Sequence, residues 1–572
     1  MVELVPNDIK VDEEDGYVDP WTVRGKIDYT KLIKQFGTDP ITDDLIDKFK
    51  RVTGKELHPW LKRGIFFSHR ELDKFLSAYE NGNPVFLYTG RGPTSDAMHI
   101  GHLIPFLFTK WLQDVFDCPL VIQISDDEKY AFKNVKFQDV YRMGFENAKD
   151  IIACGFNPKK TFIFSNRDYR LQCKAYEIFV SDMKVLASEK EVRKIFGFTE
   201  ESTIGMYDWP FYQSAASFSQ AFPHIFGSRP AYCLIPCAID QDPYFRLGRD
   251  LAGKMGLLKT CTIYCSFIPP LTGNLGKMSS STGIEATLFL NDTEDIIQQK
   301  IMSYAFSGGG GNGTLEEHRK YGGNTDVDIS YQYLRYFEED DDKLNEIKVK
   351  FSSGEMSCGE IKSLIISKLV PIFRSVKENR EKVSKEDLDE FYSIKPIELP
   401  IVKPRERTKA EEIVYAKLDE LKIEFTTKYH EVPKTEDDFK ELRNSVEGVL
   451  CKHLLLKGSK ETYYLYIINY NTIVDMKTLH KKMNISKISF AKADTLPVIL
   501  KVNKGECSLF SLLNDEDKKI TNVVIDESIA KNGKVNFQPN RADATTTIDY
   551  SDMLKFLDYL GYKTIFVKEL IN

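Results

Sequence analysis

Apolar residues along this chain keep two rhythms, and the rhythm changes between segments. Between residues 81 and 290, short apolar runs stand at 84–87, 120–124, 161–164 and 234–237, the second interrupted by Gln123. Runs of that length suit central strands covered on both faces, as in parallel sheets. Residues 103–116 and 148–154 carry apolar positions at helical spacing between them. Strands alternating with helices predict an α/β domain built on a doubly wound parallel sheet. From 291 to 395 the spacing turns helical, most clearly over 295–305, 330–337 and 359–376.

Past residue 408 the pattern changes again. An amphipathic helix is predicted over 408–421, with Val414, Leu418 and Leu421 on one face. Apolar strands follow at 463–469, 523–526 and 534–537. A last helix is expected over 552–560, with Ser551 as cap and Gly561 as stop. That is a separate α+β domain. Pro396, Pro400 and Pro404 make the stretch before it a semi-rigid linker. Ahead of residue 81, 30–36 and 43–51 read as helices, with a turn over 39–42 that caps the second. The predicted organisation is an N-terminal extension (1–80), a catalytic α/β domain (81–290), a helical domain (291–395), a linker (396–407) and the α+β domain (408–572).

Length agrees, since 572 residues exceed one hydrophobic core. The net charge of −7 argues against a generally basic DNA or nucleic-acid binder. Charge is uneven: from 401 onward there are 28 Lys and Arg against 26 Asp and Glu. Any RNA contact must therefore use local patches. The first 16 residues are acidic and lack a basic start followed by an apolar run. No apolar run approaches a membrane span, so the expectation is a cytoplasmic protein with no membrane partner.

Ten cysteines are scattered along the chain. Cys233/Cys237 and Cys261/Cys265 could be written as a four-cysteine zinc site. Their β-branched and aromatic neighbours favour reduced, buried thiols and no metal site. Residues 308–313 are almost all glycine with no Lys-Ser/Thr after them, which predicts a flexible connection rather than a P-loop. The five acids at 338–342 predict a solvated helix end.

The candidate chemistry starts where the first strand of the α/β domain meets its helix. Gly90, Gly92 and Pro93 break the chain there, and His99-Ile100-Gly101-His102 falls at the helix start. Pro105 is expected in the first turn, where its missing N–H does no harm. Free N–H groups and the helix dipole then favour phosphates, with two imidazoles in reach of the same anion. Gly101 would let a flat purine approach the backbone. Far along the chain, Gly276-Lys277-Met278-Ser279-Ser280-Ser281-Thr282-Gly283 is a small polar loop with one lysine.

Together these two segments resemble the paired signatures of class I aminoacyl-tRNA synthetases. Intervening blocks narrow the resemblance to the eukaryotic-type tryptophanyl family: Trp21-Thr22-Val23, Tyr88-Thr89-Gly90-Arg91-Gly92-Pro93, the run from Val121 to Tyr130, the run from Ala238 to Phe245, and Ala305-Phe306-Ser307-Gly308-Gly309. The resemblance covers roughly residues 21 to 391. It implies a Rossmann-like catalytic domain, a helical anticodon-binding domain, a homodimer, and ATP-dependent charging of tRNA(Trp) with L-tryptophan, Mg²⁺ travelling with the ATP. His99, His102 and Lys277 are implied as catalytic donors. Gly90, Arg91, Gly101, Met278, Ser279, Ser280 and Ser281 are implied as ATP-binding. Tyr88 and Gln123 would contact the indole N–H, and Glu128 and Gln241 the substrate amino group. Trp209, Phe211 and Phe218 are expected as core before slot wall. A tyrosyl-tRNA ligase of the same fold is the alternative; it would want an acidic partner for a phenol, where this chain has Gln123.

The last domain resembles the YbaK/prolyl-tRNA-editing family through Cys451-Lys452-His453-Leu454-Leu455-Leu456-Lys457, Gly505-Glu506-Cys507-Ser508-Leu509-Phe510, the run from Val535 to Asn540, and Ala544-Thr545-Thr546-Thr547-Ile548. That family hydrolyses mischarged tRNA, and its lysine corresponds to Lys452. Gln538 stands where many members have histidine.

Overall fold

The computed structural model describes residues 17–19, 23–24, 27–133, 135–273, 277–278, 283, 285–310, 314–399, 407–430, 432–483, 485 and 488–568. The blocks at Trp21-Thr22 and Gly276, the loop residues Ser279 to Thr282, Gly311 to Gly313 and the linker stretch 400–406 lie outside the described residues. The chain divides into two compact units, Met1–Val402 and Lys403–Asn572.

The first unit is built on a seven-stranded sheet. Its strands are β1 (Asp39–Pro40), β2 (Phe66–Arg70), β3 (Val85–Arg91), β4 (Leu120–Ile124), β5 (Thr161–Ser165), β6 (Tyr232–Ala238) and β7 (Cys261–Cys265). The spatial order is β1-β2-β7-β6-β3-β4-β5. β7, β6, β3, β4 and β5 run parallel, while β1 and β2 add antiparallel to one edge. β4, β5 and β7 are buried at every position; for β4 and β5 this is the physical counterpart of the apolar runs at 120–124 and 161–164. The order reverses at β3, which has β6 on one side and β4 on the other. In an open α/β sheet such a switch point opens a crevice at the carboxyl ends of the strands.

Several local expectations need correction. The turn expected over 39–42 is in part a strand, because Asp39 and Pro40 pair with His69 and Ser68; Thr42 does cap the helix Asp43–Thr53. The helix after β3 runs Ile100–Phe116, so Pro105 lies in its second turn. The missing N–H there deprives the Gly101 carbonyl of its helical partner. The glycine run is not a loose connection in its described part. A Cβ on Gly308 would stand 2.3 Å from the Asn324 carbonyl oxygen, and one on Gly310 would stand 2.5 Å from that of Gly322. Glycine is needed because two backbones touch. Of the five acids at 338–342, Glu338 is buried and paired with Lys368, and Asp340 caps the helix Asp341–Ser352.

Helices Glu294–Tyr304, Ile329–Phe337, Asp341–Ser352 and Cys358–Lys382 follow the sheet. Their buried apolar residues join the core formed on one face of the sheet. Arg380 pairs with Glu146 and Asp150 of the helix Phe137–Ile152. All ten cysteines are free thiols, and Cys233, Cys237, Cys261 and Cys265 are buried.

In the second unit, strands Val449–Lys457 and Tyr463–Asn469 lie at the centre of an eight-stranded mixed sheet. The helix Lys409–Glu420 buries Val414 and Leu418. The last helix begins at Tyr550, with Asp549 rather than Ser551 at its cap position; Gly561 ends it in the left-handed region, at φ 72°.

Candidate active site

A cavity of about 280 Å³ opens at the switch point. Its walls are the ends of β3, β4 and β6, the start of the helix Ile100–Phe116, residues Cys265 to Ile268, and Lys277 with Met278. Tyr88, Gly90, Arg91, His99, Gly101, His102, Gln123, Glu128, Gln241, Lys277 and Met278 all line it. Residues more than 180 positions apart in sequence thus share one space. Trp209, Phe211 and Phe218 are buried outside this lining. Ser279, Ser280 and Ser281 lie outside the described residues. Lys452 belongs to the other unit.

Backbone bonds tie the helix start to the stretch that follows the lysine loop. Ile100 N–H donates to the Leu288 carbonyl at 3.0 Å, and Leu290 N–H to that of Met98 at 2.8 Å. One of the free N–H groups expected at the helix start is thereby used. The lysine loop is fixed at its base: Leu271 N–H donates to the Ala286 carbonyl at 3.0 Å and Met278 N–H to that of Ile268 at 3.1 Å.

The His99 and His102 rings stack with centroids 3.5 Å apart. Arg91 Nη1 meets His102 Nε2 at 3.0 Å. Guanidinium only donates, so Nε2 accepts; the His99 backbone N–H approaches the other ring nitrogen, Nδ1, at 3.3 Å. Arg91 also donates from Nε to Asn147 Oδ1 at 2.8 Å. Burial pushes the Arg91 pKa down to about 10. Burial, then the charges of Arg91 and Lys277, pushes His99 down to about 3. His102 is driven well below the usual histidine range by burial first, then by Arg91. Both imidazoles are therefore neutral at physiological pH in this arrangement. An incoming polyanion would offset the two cations that help to depress them.

Lys277 Nζ donates to Asp240 Oδ2 at 2.5 Å. Three residues lining the cavity each carry a buried polar atom without a hydrogen-bond partner: His99 Nδ1, Gln213 Oε1 and Asp240 Oδ1. Buried polar atoms are rarely left unpaired, so this concentration marks a place built for a polar ligand.

The same cavity holds a slot lined by paired polar groups. Tyr88 Oη donates to Gln123 Oε1 at 2.7 Å. Gln213 Nε2 donates to Gln241 Oε1 at 3.1 Å. Glu128 accepts from Ser125 Oγ at 3.1 Å and pairs with Lys129. A Cβ on Gly92 would stand 2.1 Å from Glu128 Oε2, so the glycine is what lets that carboxylate lie against the loop. Arg91, Lys277 and the imidazoles suit phosphates, and the slot suits a flat aromatic body carrying a hydrogen-bond donor.

Gln213 and Asp240 were given no role in the sequence reading. Gln213 sits in an apolar helix, Ile204–Ala215, and a glutamine there is a signal that it needs partners. Asp240 lies within the run from Ala238 to Phe245, and only folding brings it to Lys277.

In the second unit, Lys452 Nζ donates to the Thr472 carbonyl at 2.6 Å and lies 5.7 Å from the Tyr470 ring centroid. Burial lowers the Lys452 pKa, against the pull of Glu436.

Residues 80–374 match the family of class I tRNA synthetases (W and Y), and residues 430–556 match the aminoacyl-tRNA editing domain. The chain is 50% identical over 386 residues to the cytoplasmic tryptophan–tRNA ligase of Oryctolagus cuniculus, covering 67% of this chain and 81% of that one. The cytoplasmic tryptophan–tRNA ligase of Saccharomyces cerevisiae is 46% identical over 400 residues, covering 68% and 90%. Among solved structures, tryptophanyl-tRNA synthetase from Giardia lamblia aligns at a TM-score of 0.60 and 41% identity, covering 64% of this chain and 95% of that one. The tryptophan-bound enzyme from Encephalitozoon cuniculi aligns at 0.59 and 38%, covering 64% and 98%.

Proposed function

The chain belongs to the class I tRNA synthetase family of tryptophan and tyrosine enzymes, and from that premise we propose that it is a cytoplasmic tryptophan–tRNA ligase. ATP and tryptophan give tryptophanyl-adenylate and pyrophosphate, and the aminoacyl group then passes to tRNA(Trp). The observation that carries the tryptophan reading is the pair Tyr88–Gln123 in the buried slot. Gln123 Oε1 uses one lone pair on Tyr88 and keeps the other for an indole N–H. The cytoplasmic assignment follows the relatives' names.

At the phosphate end, attack of the tryptophan carboxylate on the α-phosphorus builds charge on phosphate oxygens. Lys277 leaves Asp240 for the triphosphate, and neutral His99 donates from its ring N–H, with the His102 ring stacked against it. Arg91 is too deeply tethered to swing, so it holds His102 and contributes its fixed charge. Gly90, Gly101, Met278 and Ser279 to Ser281 are assigned to ATP, and Glu128 with Gln241 to the substrate ammonium. Mg²⁺ enters as counter-ion of the triphosphate. The test is exchange of labelled pyrophosphate into ATP: tryptophan should drive it and tyrosine should not. Exchange driven by tyrosine alone would replace this reading with the tyrosyl one.

The proposed domain limits are 1–80, 81–290, 291–395, 396–407 and 408–572. For the last, the reading is hydrolysis of mischarged tRNA around Lys452. Residues 451–504 carry ten lysines against three acids, a local basic segment suited to RNA phosphates. A homodimer is proposed as well. Ile178 and Val185 stand seven residues apart on the helix Lys174–Val185 and are both exposed, an apolar strip that a second copy would cover. Sedimentation at the monomer mass across micromolar concentrations would remove the dimer.

A further inference from the structure

Gln123 can serve an indole N–H only if its oxygen, and not its NH₂, points into the slot. Its amide has two nearly equal shapes, so something must choose between them. The choice is made behind the slot, by groups that do not line the cavity.

Asp127 stands at the back of this network. Its Oδ1 accepts from Trp209 Nε1 at 3.0 Å, and its Oδ2 accepts from Asn166 Nδ2 at 2.6 Å. Arg170 Nη1 lies 3.7 Å from the same Oδ2. A carboxylate only accepts, so Asn166 must turn its NH₂ toward Asp127. Its Oδ1 then faces the other way. There it accepts from Tyr176 Oη at 2.9 Å and from Gln123 Nε2 at 3.1 Å. Gln123 must therefore turn its own NH₂ backward, which leaves Oε1 toward Tyr88 and the slot. The Tyr212 carbonyl, also an acceptor, lies 3.3 Å from Gln123 Nε2 and supports the same direction. Asn166 and Gln123 are buried, so no water is at hand to soften a wrong choice.

We infer that Asp127 and Asn166 are positioning residues for amino-acid selection: the acceptor-only carboxylate orders a chain of amides so that an acceptor, never a donor, meets the substrate ring nitrogen. The inference rests on the proposed reading that the slot takes tryptophan. Burial, then the neighbouring Asp126, raises the Asp127 pKa to about 7, against the opposing pull of Asn166 and Arg170, so the assays below are run above that pH, where the acceptor-only carboxylate prevails.

The chain of direction makes a specific claim about Asp127→Asn. The substitution keeps shape and volume but supplies a group that can present either NH₂ or oxygen. Asn166 and Gln123 can then reverse, and Gln123 meets the indole N–H with its own N–H. The experiment compares pyrophosphate exchange driven by tryptophan with that driven by 3-benzothienylalanine, which has sulfur in place of the ring N–H. In the unaltered enzyme tryptophan should be strongly preferred. In Asp127→Asn, and in parallel Asn166→Ala, the ratio of kcat/KM values should fall by about tenfold or more, the worth of one buried hydrogen bond. The fall should come from a higher KM for tryptophan, with the KM for ATP and the analogue's kcat/KM unchanged. If both variants keep the ratio of the unaltered enzyme, or lose tryptophan and analogue equally, the inference is overturned. If the unaltered enzyme itself shows no preference for tryptophan, it is the reading of the slot that fails.

Discussion

The two units hold their candidate lysines in different ways. Around Lys277, one cavity gathers His99, Gln213 and Asp240, each with a buried polar atom still unpaired. Lys277 itself is held by Asp240, a partner that an anion could displace. Around Lys452, the ammonium is engaged by the Thr472 carbonyl. The next residue, His453, has both ring nitrogens buried and unpaired, beside the Phe537 ring at 5.3 Å. A strand sends successive side chains to opposite faces, so Lys452 and His453 do not share a site. Unmet polar atoms that converge on one space describe a binding site; the same atoms dispersed over two faces of a sheet describe a residue pair with separate fates. Gln538 in place of the family's histidine extends the contrast.

The largest test of this contrast is Lys277→Ala. Losing a charge aimed at developing phosphate charge should cut tryptophan-dependent exchange by about 10² to 10³. Unchanged exchange would take Lys277 out of the reaction. Lys452→Ala comes next. Release of amino acids from misacylated tRNA should fall by about tenfold to a hundredfold, while tryptophan charging stays as it was. An unaltered enzyme that releases nothing from any misacylated tRNA would leave the second unit as a docking module, and the contrast would sharpen.

A smaller effect separates the units by acid. His58 and His224 are pushed down to about 4 and His99 to about 3, chiefly by burial. All three lie in the first unit. In the second, His453 is pushed down to about 3, also by burial. Each folded value lies below the unfolded value of about 6.5. Between the two values the unfolded chain binds a proton that the folded chain does not. The stability these groups contribute is therefore full above about pH 6.5 and is lost as pH falls toward 3 to 4. Calorimetry of the whole chain near pH 5.5, in buffers of different ionisation heat, should show more protons taken up when the first unit unfolds than when the second does. Equal uptake would mean that the histidine burial does not distinguish them.

Much of the architecture was readable in residue order. The apolar runs at 120–124 and 161–164 became strands buried at every position, because a strand covered on both faces leaves no polar alternation. Thr42 capped its helix as a short side chain ahead of a periodic run does. The placing of Pro105 failed because a helix start depends on what pairs with it; Leu288, almost two hundred residues on, takes the first N–H. The glycine run failed for a related reason: composition reports permission to flex, whereas contact with Asn324 and Gly322 decides whether flexing occurs.

What residue order determined by itself was therefore the set of chemical groups and the periods of the elements that carry them. Only the tertiary structure decided that Lys277 rests on Asp240, that Arg91 holds His102, and that Asp127 reaches Gln123 through Asn166. Periodicity is a property of neighbours along the chain, and a few residues suffice to express it. A hydrogen bond's direction is a property of every donor and acceptor around it, and those partners arrive from five elements that meet only once the chain is folded.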